Sequence, residues 1–220
     1  MRVFLTPIGF HEDVVLRLLK DNRASTSDKL LVFTCRDPSS GTKRAYESLR
    51  ASCIKEGYPE PQLVLLNCSN VYEGLSEAIS TLATCRGSEF ILEIGAGLRI
   101  IGYLLLLALL WLREHFTIHY EPEGSVFEST IIPYEVFHEI LEPVRGAEKE
   151  VLMLVIREPG ITVKEASTIL GKKEKTIRNL VTILKRKGLV EKESRSEKLY
   201  PTNLAKTLYT IHAQNQDSKT

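Results

Sequence analysis

The chain has 220 residues, 43% of them hydrophobic, with 29 Lys and Arg against 28 Asp and Glu. That length accommodates one full domain and a smaller second one. The charge is unevenly divided: residues 1–144 hold 13 cations against 19 carboxylates, and residues 145–220 hold 16 against 9, which confines polyanion binding to the rear part.

In chain order, Arg2–Thr6 reads as a strand, Glu12–Lys20 as a helix, Lys29–Cys35 as a strand and Thr42–Lys55 as an amphipathic helix. A third strand over Gln62–Asn67 precedes the helix Tyr72–Cys85. A fourth, Phe90–Gly95, leads into an apolar helix over Leu98–His115. Thr117–Tyr120 and Ser129–Pro133 are expected as edge strands. The strand runs are continuously apolar, as in parallel strands covered on both faces, and strand–helix repetition implies an α/β, doubly wound, Rossmann-like sheet over residues 1–132. A short connecting helix, Pro133–Leu141, ends before Pro143 within a linker of residues 133–145.

Residues 146–220 read as a winged helix-turn-helix. A first helix, Glu148–Ile156, stops at Pro159-Gly160. Thr162-Val163-Lys164-Glu165 forms a capping box that opens a second helix, and Gly171 closes it. A third helix, about Glu174 to Lys187, places Ile177, Leu180, Val181 and Leu184 inward. Two short alternating runs, Leu189–Glu193 and Lys198–Tyr200, flank a Ser194-Arg195-Ser196 hairpin tip. This order of elements predicts a recognition helix in the major groove and a wing on the DNA backbone. Lys173, Thr176 and Asn179 are assigned to base edges; Lys172, Lys175, Arg178, Lys185 and Arg195 to phosphates; Thr182 shares the same face. The alternatives are a solvated helix face or a winged helix that contacts only protein. A last helix, Leu204–Ala213, carries an apolar stripe that is either core or a dimer seam.

Cys35, Cys53, Cys68 and Cys85 show no zinc-ligand spacing and sit in apolar runs, so reduced structural thiols are expected. In a hyperthermophile, intracellular disulfides become an option. His115, His119, His138 and His212 have no metal spacing either. Ile100–Leu112 contains 13 uncharged residues, a helix of roughly 20 Å against the roughly 30 Å of a bilayer core. It is expected to be buried on all sides, its far face by a second subunit. Met1-Arg2 leads directly into a strand, with no signal-peptide pattern, and a cytoplasmic protein is expected.

In a doubly wound sheet, ligands bind beyond the carboxyl ends of the strands where the winding reverses. Two loops qualify: Thr6-Pro7-Ile8-Gly9-Phe10-His11 after the first strand and Gly95-Ala96-Gly97-Leu98-Arg99 after the fourth. Free N–H groups, a helix N-terminus and the Arg99 guanidinium would make the second loop anion-receptive. The plainer readings are a tight glycine turn and an Arg99 paired with Glu93 or Glu114. A dinucleotide fingerprint fails, because its third glycine falls on Ile100.

These turns, fused to a winged helix, resemble the CRISPR-associated Rossmann-fold (CARF) transcription regulators of archaea. The resemblance implies a homodimer formed through the front domain. It also implies that this domain senses a cyclic oligoadenylate, chiefly cyclic tetra-adenylate, without other cofactors or metal, and that double-stranded promoter DNA of CRISPR-associated genes or arrays is the partner. Carried over by position, Thr6, Pro7, Ile8, Gly9 and Phe10 line one wall, and Gly95, Ala96, Gly97, Leu98 and Arg99 hold phosphates on the other. Cys35 and Arg36 lie adjacent. Some relatives cleave the ring with a Lys where this chain has Arg99, which stays protonated and cannot act as a base. No catalytic residue is therefore assigned, although a ring nuclease and a regulator of another anionic metabolite remain the alternatives. If Ile100–Leu112 packs across a two-fold axis, both Gly95–Arg99 turns meet there, and a ring of four identical nucleotides shares that symmetry.

Overall fold

The computed structural model describes residues 1–120, 130–193 and 197–209. The chain divides into two compact units, Met1–Tyr134 and Glu135–Thr220. The first contains β1 (Arg2–Pro7), α1 (Asp13–Asp21), β2 (Lys29–Cys35), α2 (Ser40–Glu56), β3 (Pro61–Leu66) and α3 (Val71–Ala83). It continues with β4 (Glu89–Glu93), α4 (Arg99–Leu112), β5 (Phe116–Tyr120) and β6 (Thr130–Pro133).

The sheet order is β3-β2-β1-β4-β5-β6, with the first five strands parallel and β6 antiparallel to β5. The winding therefore reverses between β1 and β4. Phe4, Leu30, Val32 and Ile91 on one face pack with Val15, Leu18, Leu19, Ala45 and Leu49 of α1 and α2. Two expectations about this sheet are corrected. β5 is an interior strand, parallel to β4 and flanked by β6, so β3 and β6 are the edges. β3 is also not covered on both faces: Leu63 and Leu65 are exposed, because an edge strand lies at the margin of its helical cover.

The cysteine expectation is corrected too. Cys35 and Cys68 form a disulfide with a Cα–Cα separation of 5.5 Å. Register explains it: Cys35 at the end of β2 is paired with Leu66 at the end of β3, so the chain two residues further on passes beside it. Spacing along the chain, 33 residues apart, hides that proximity. Cys53 and Cys85 remain buried free thiols, and burial pushes the Cys53 thiol up to about 11, with Glu56 adding to it.

The apolar α4 is buried on only one side of this chain. Ile101, Leu104, Leu105, Ala108 and Leu109 face inward, whereas Tyr103, Leu107 and Trp111 are exposed, Trp111 at 75%. Positions four apart share one helix face, so these three form a continuous apolar stripe. Among the described residues no helix is long and apolar enough to cross a membrane.

The second unit is a winged helix. It holds α5 (Tyr134–Leu141, all but its first residue), α6 (Gly146–Arg157), β7 (Ile161–Thr162) and α7 (Val163–Leu170). After these come α8 (Glu174–Arg186), β8 (Val190–Lys192), β9 (Lys198–Pro201) and a helix over residues 203–209. Its core joins Val151, Leu152 and Val155 of α6 to Ile177 and Leu184 of α8 and to Leu189 and Leu199 of the wing. The capping box is present: the Glu165 N–H donates to Thr162 Oγ1, and the Thr162 N–H donates to Glu165 Oε2. Gly171 ends α7 in the left-handed region at φ 61°. A short strand absent from the sequence reading, β7, extends the wing to three strands in the order β7-β9-β8.

Residues 133–145 are more than a linker. The buried Glu139 carboxylate of α5 accepts from the Val144 N–H at 2.8 Å and from the Tyr209 hydroxyl. Val144 and Tyr209 both belong to the winged-helix core, so α5 is anchored to that unit. Leu204 and Leu208 of the last helix's apolar stripe pack against that core, so the stripe is at least partly core, and its third residue, Ile211, lies outside the described residues.

Candidate functional site

At the reversal between β1 and β4, the two loops approach backbone to backbone. A Cβ built on Gly9 would lie 3.0 Å from Gly97 Cα, and one on Gly97 would lie 2.8 Å from the Ile8 carbonyl carbon. Gly97 also adopts φ 64°, a region that L-side chains rarely enter. Glycine is thus required at this crossing on two counts, and the loops meet where the topology brings them.

They border a cavity of about 550 Å³, within the size range of small-molecule pockets. Ile8, Gly9 and Phe10 line it from the β1 loop, Cys35 from β2, and Gly95, Ala96, Gly97 and Leu98 from the β4 loop. Four of the proposed residues, Thr6, Pro7, Arg36 and Arg99, fall outside its lining. Thr6 is fully buried with its hydroxyl donating to the Pro7 carbonyl, and Pro7 is buried in β1 as well. Neither reaches the cavity, because β1 continues through Pro7 as a sheet strand rather than opening into the loop at Thr6. Arg36 turns away to pair with Glu77 of α3, whose other oxygen accepts from the Asn67 N–H at 2.7 Å. Arg99 is exposed at the first residue of α4, beside Leu98 at the cavity rim.

The phosphate-cradle expectation needs a correction at its centre. Glu93, the last residue of β4, is completely buried. Its carboxylate accepts from the Gly95 N–H through one oxygen and from the Ala96 N–H through the other, both at 2.7 Å. Those two donors are consumed internally, and a carboxylate beneath them opposes a second anion. The start of α4 remains, where Arg99 is the first residue and the N-cap Leu98 makes no side-chain capping bond. The positive helix end and the guanidinium favour negative charge at that rim.

Sequence reasoning missed Glu93 as the brace of the turn, and missed the cavity's second wall. Thr34, Asp37, Ser39 and Thr42 complete that wall between β2 and α2. The signal was available in Asp37-Pro38-Ser39, a turn cluster followed by an N-cap. Ser39 indeed caps α2, its hydroxyl accepting from the Thr42 N–H at 3.2 Å. His11 lines the cavity and makes no hydrogen bond among the described residues. No group of three or more His, Cys, Asp or Glu among the described residues could hold a metal ion.

In the second unit, α8 buries Ile177, Val181 and Leu184 and turns Lys175, Thr176, Arg178, Asn179, Thr182 and Lys185 outward, with Lys173 at its N-cap. Two of the assigned cations are engaged. Lys172 is half-buried and pairs with Glu150 of α6 at 2.9 Å. Arg178 stands between Glu174 and Glu197, 3.6 Å from each. The Thr182 hydroxyl donates to the Arg178 carbonyl one turn back at 2.8 Å. Arg195 lies outside the described residues.

The chain is similar over 199 residues, at 26% identity, to the CRISPR locus-related protein Csa3 of Saccharolobus solfataricus, covering 90% of this chain and 84% of that one. Among solved structures it resembles a MarR protein from Peptoclostridium difficile, with 19% identity and a TM-score of 0.33 over 39% of this chain and 58% of that one. It also resembles Streptococcus pneumoniae FabT in complex with DNA, with 17% identity and a TM-score of 0.34 over 39% of this chain and 64% of that one. Residues 2–135 match the Csa3 CRISPR-associated Rossmann-like domain, and the chain belongs to that family.

Proposed function

We propose that the chain is a homodimeric, ligand-responsive transcription regulator. Its first unit senses cyclic tetra-adenylate, and its winged helix binds the promoter DNA of CRISPR-associated genes or arrays. The observation that carries the proposal is the cavity at the sheet's switch point, rimmed by the uncapped start of α4 and Arg99, on the same helix as the Tyr103–Leu107–Trp111 stripe. Pairing that stripe across a two-fold axis would cover the apolar face and bring two such rims together, matching a ligand of two-fold symmetry.

The DNA part is supported by the solvent-facing α8 side chains and by the relative from Saccharolobus solfataricus, whose name marks it as a candidate DNA-binding protein. DNA and ligand are then linked: whatever factor the ring imposes on DNA affinity, DNA imposes on ring affinity. A ring nuclease is the weaker reading. His11 is the one imidazole in the cavity lining, and no side chain among the described residues orients it, whereas a general base is ordinarily held in place by a partner.

Isothermal titration of the full chain with cyclic tetra-adenylate, beside Arg99→Ala, tests the proposal. One ring per two chains, with at least tenfold weaker binding in the variant, is the expected result. No heat with the parent protein would remove the sensor assignment, and products of ring opening after hours of incubation would restore the nuclease.

A further inference from the structure

The Cys35–Cys68 bond sits at the cavity rather than in the core. Cys35 ends β2 and lines the cavity, and the bond ties the exit of that strand to the loop between β3 and α3. Both cysteines are half-buried, whereas the free thiols of Cys53 and Cys85 are buried. A thiol reagent in solution therefore reaches this bond before either free thiol. Burial also keeps the Cys53 thiol protonated, which stops it from exchanging with the bond.

The two ends of the bond are held very differently. On the Cys68 side, the Asn67 N–H donates to Glu77 Oε2, and the Asn67 side-chain oxygen accepts from the Ser69 and Asn70 N–H groups at 3.1 Å each. Asn70 caps α3, accepting from the Tyr72 and Glu73 N–H groups, and a Cβ on Gly74 would lie 2.6 Å from the Asn67 carbonyl oxygen. On the Cys35 side, the Arg36 N–H donates to the Leu66 carbonyl at 2.9 Å, and the Arg36 side chain, 56% exposed, pairs with Glu77. A pair that open to water adds little. Asp37 and Pro38 make no hydrogen bond among the described residues, and Asp37 holds a left-handed φ of 59°, which persists only where its surroundings impose it. The next anchor is the Ser39 hydroxyl at the start of α2. Asp37, Pro38 and Ser39 all line the cavity, so the disulfide is the strongest tie on a wall that has few others.

We propose that this bond is a redox switch on the cavity: closed, it fixes the wall of residues 37–39 in place for the ligand, and opened by a dithiol it releases that wall and weakens ligand binding. The inference rests on the reading that places the ligand in this cavity. Opening is a balanced thiol–disulfide exchange. A thiolate of the dithiol attacks one of the two sulfurs, the Cys35–Cys68 bond breaks and a mixed disulfide forms. The second thiol of the reductant then displaces the protein. The dithiol ends as its own disulfide, and its two electrons and two protons end on Cys35 and Cys68 as thiols. A wall that must be ordered at the moment of binding costs affinity, which sets the sign. Linkage sets the reverse effect: a ligand that prefers the closed form about tenfold makes the bond harder to reduce by the same factor, about 30 mV for a two-electron couple.

The test compares the oxidised full chain, the same chain reduced with dithiothreitol, and Cys68→Ala, which cannot form the bond and whose altered residue lies outside the cavity lining. Thiol titration under denaturing conditions defines each state, since the chain has four cysteines and two of them are free in the oxidised form. On reduction, hydrogen exchange at the Arg36, Asp37 and Ser39 amides should accelerate about tenfold or more, while residues 69–73 and α8 change little. Binding of cyclic tetra-adenylate should weaken about tenfold. Cys68→Ala should match the reduced parent in both readings and ignore dithiothreitol.

A bond that stays closed in the native protein under excess dithiothreitol is a structural staple, and that result overturns the switch. So does equal acceleration on both sides of the bond, which would assign it to global stability. Ring affinity that is unchanged on reduction overturns the switch while leaving the sensor standing. If the parent binds no ring in either state, the sensor reading fails and hydrogen exchange alone decides: a wall that loosens while residues 69–73 hold retains the switch, and a wall that does not loosen rejects it.

Discussion

The two units present their candidate binding groups in opposite ways. On α8 the groups are side chains pointing outward from a helix whose inward positions, Ile177, Val181 and Leu184, are core. One period of 3.6 residues determines both sets, so the binding face can change without disturbing the fold. In the sheet unit the site consists of turns brought together from β1, β2 and β4, and its central turn is held by the buried carboxylate of Glu93. There the binding groups sit on the same short turns as the groups that hold the fold. A substitution in the second unit should cost function alone, whereas one at the switch point should cost stability and function together.

The sharpest way to break this contrast is Glu93→Ala. It leaves the Ala96 N–H, on a buried residue, without an acceptor, at about 1–3 kcal/mol, while the Gly95 N–H, on an exposed residue, turns to water. A loss of about 1–3 kcal/mol is expected in urea denaturation followed by the fluorescence of Trp111, the chain's single tryptophan, which lies in the first unit. Ring binding should disappear with it. An unchanged midpoint would show that the turn is held by its glycines alone.

Substitutions on α8 should have smaller effects and spare the fold. Asn179→Ala should weaken binding to the specific site by about 1–3 kcal/mol, as for one base contact. Lys175→Ala should lower the slope of log K against log salt by about one and leave sequence preference intact. Lys172→Ala should change that slope less, because its ammonium already pairs with Glu150. Equal slopes for the two lysine variants would mean that the Glu150 pair opens on DNA. A lowered thermal midpoint of any of these variants, followed by far-ultraviolet circular dichroism of both units, would erase the distinction between the units.

The contrast also explains what could be read from the chain. Helix faces and strand runs were legible because periodicity is local, and so were the capping box at Thr162 and the glycine turns at Gly9 and Gly97. What depended on strand order was not. The Cys35–Cys68 bond follows from the β2–β3 register, and the exposure of Leu63 and Leu65 from β3 being an edge. Arg36 is placed beside the ligand walls by its position at the end of β2, yet Glu77, 41 residues away, holds it. Glu93 is read from the sequence only as a strand residue and a possible partner of Arg99, since no spacing rule marks a carboxylate that folds forward onto the N–H groups two and three residues on.

A salt bridge in the first unit offers the mildest test, and one whose sign can be fixed in advance. Asp28, just before β2, accepts from the Arg2 guanidinium at 2.7 Å and from the Ser25 N–H at 3.1 Å, and Arg2 also donates to the Asn22 carbonyl. Burial raises the Asp28 carboxyl pKa, but the bonds from Arg2 and Ser25 outweigh it and hold the group below its ordinary value. A carboxylate depressed in the folded state contributes stability that is complete above the unfolded pKa, about 3.9, and is lost as pH falls through the folded value. The Trp111 midpoint of the parent protein should therefore exceed that of Asp28→Asn at neutral pH, and the gap should close as pH falls below about 4. The same acidification should leave the winged helix's response to Asp28→Asn at zero, because the pair lies wholly within the sheet unit. A gap that persists to the lowest pH would assign the stabilisation to the packing of Asp28 rather than to its charge.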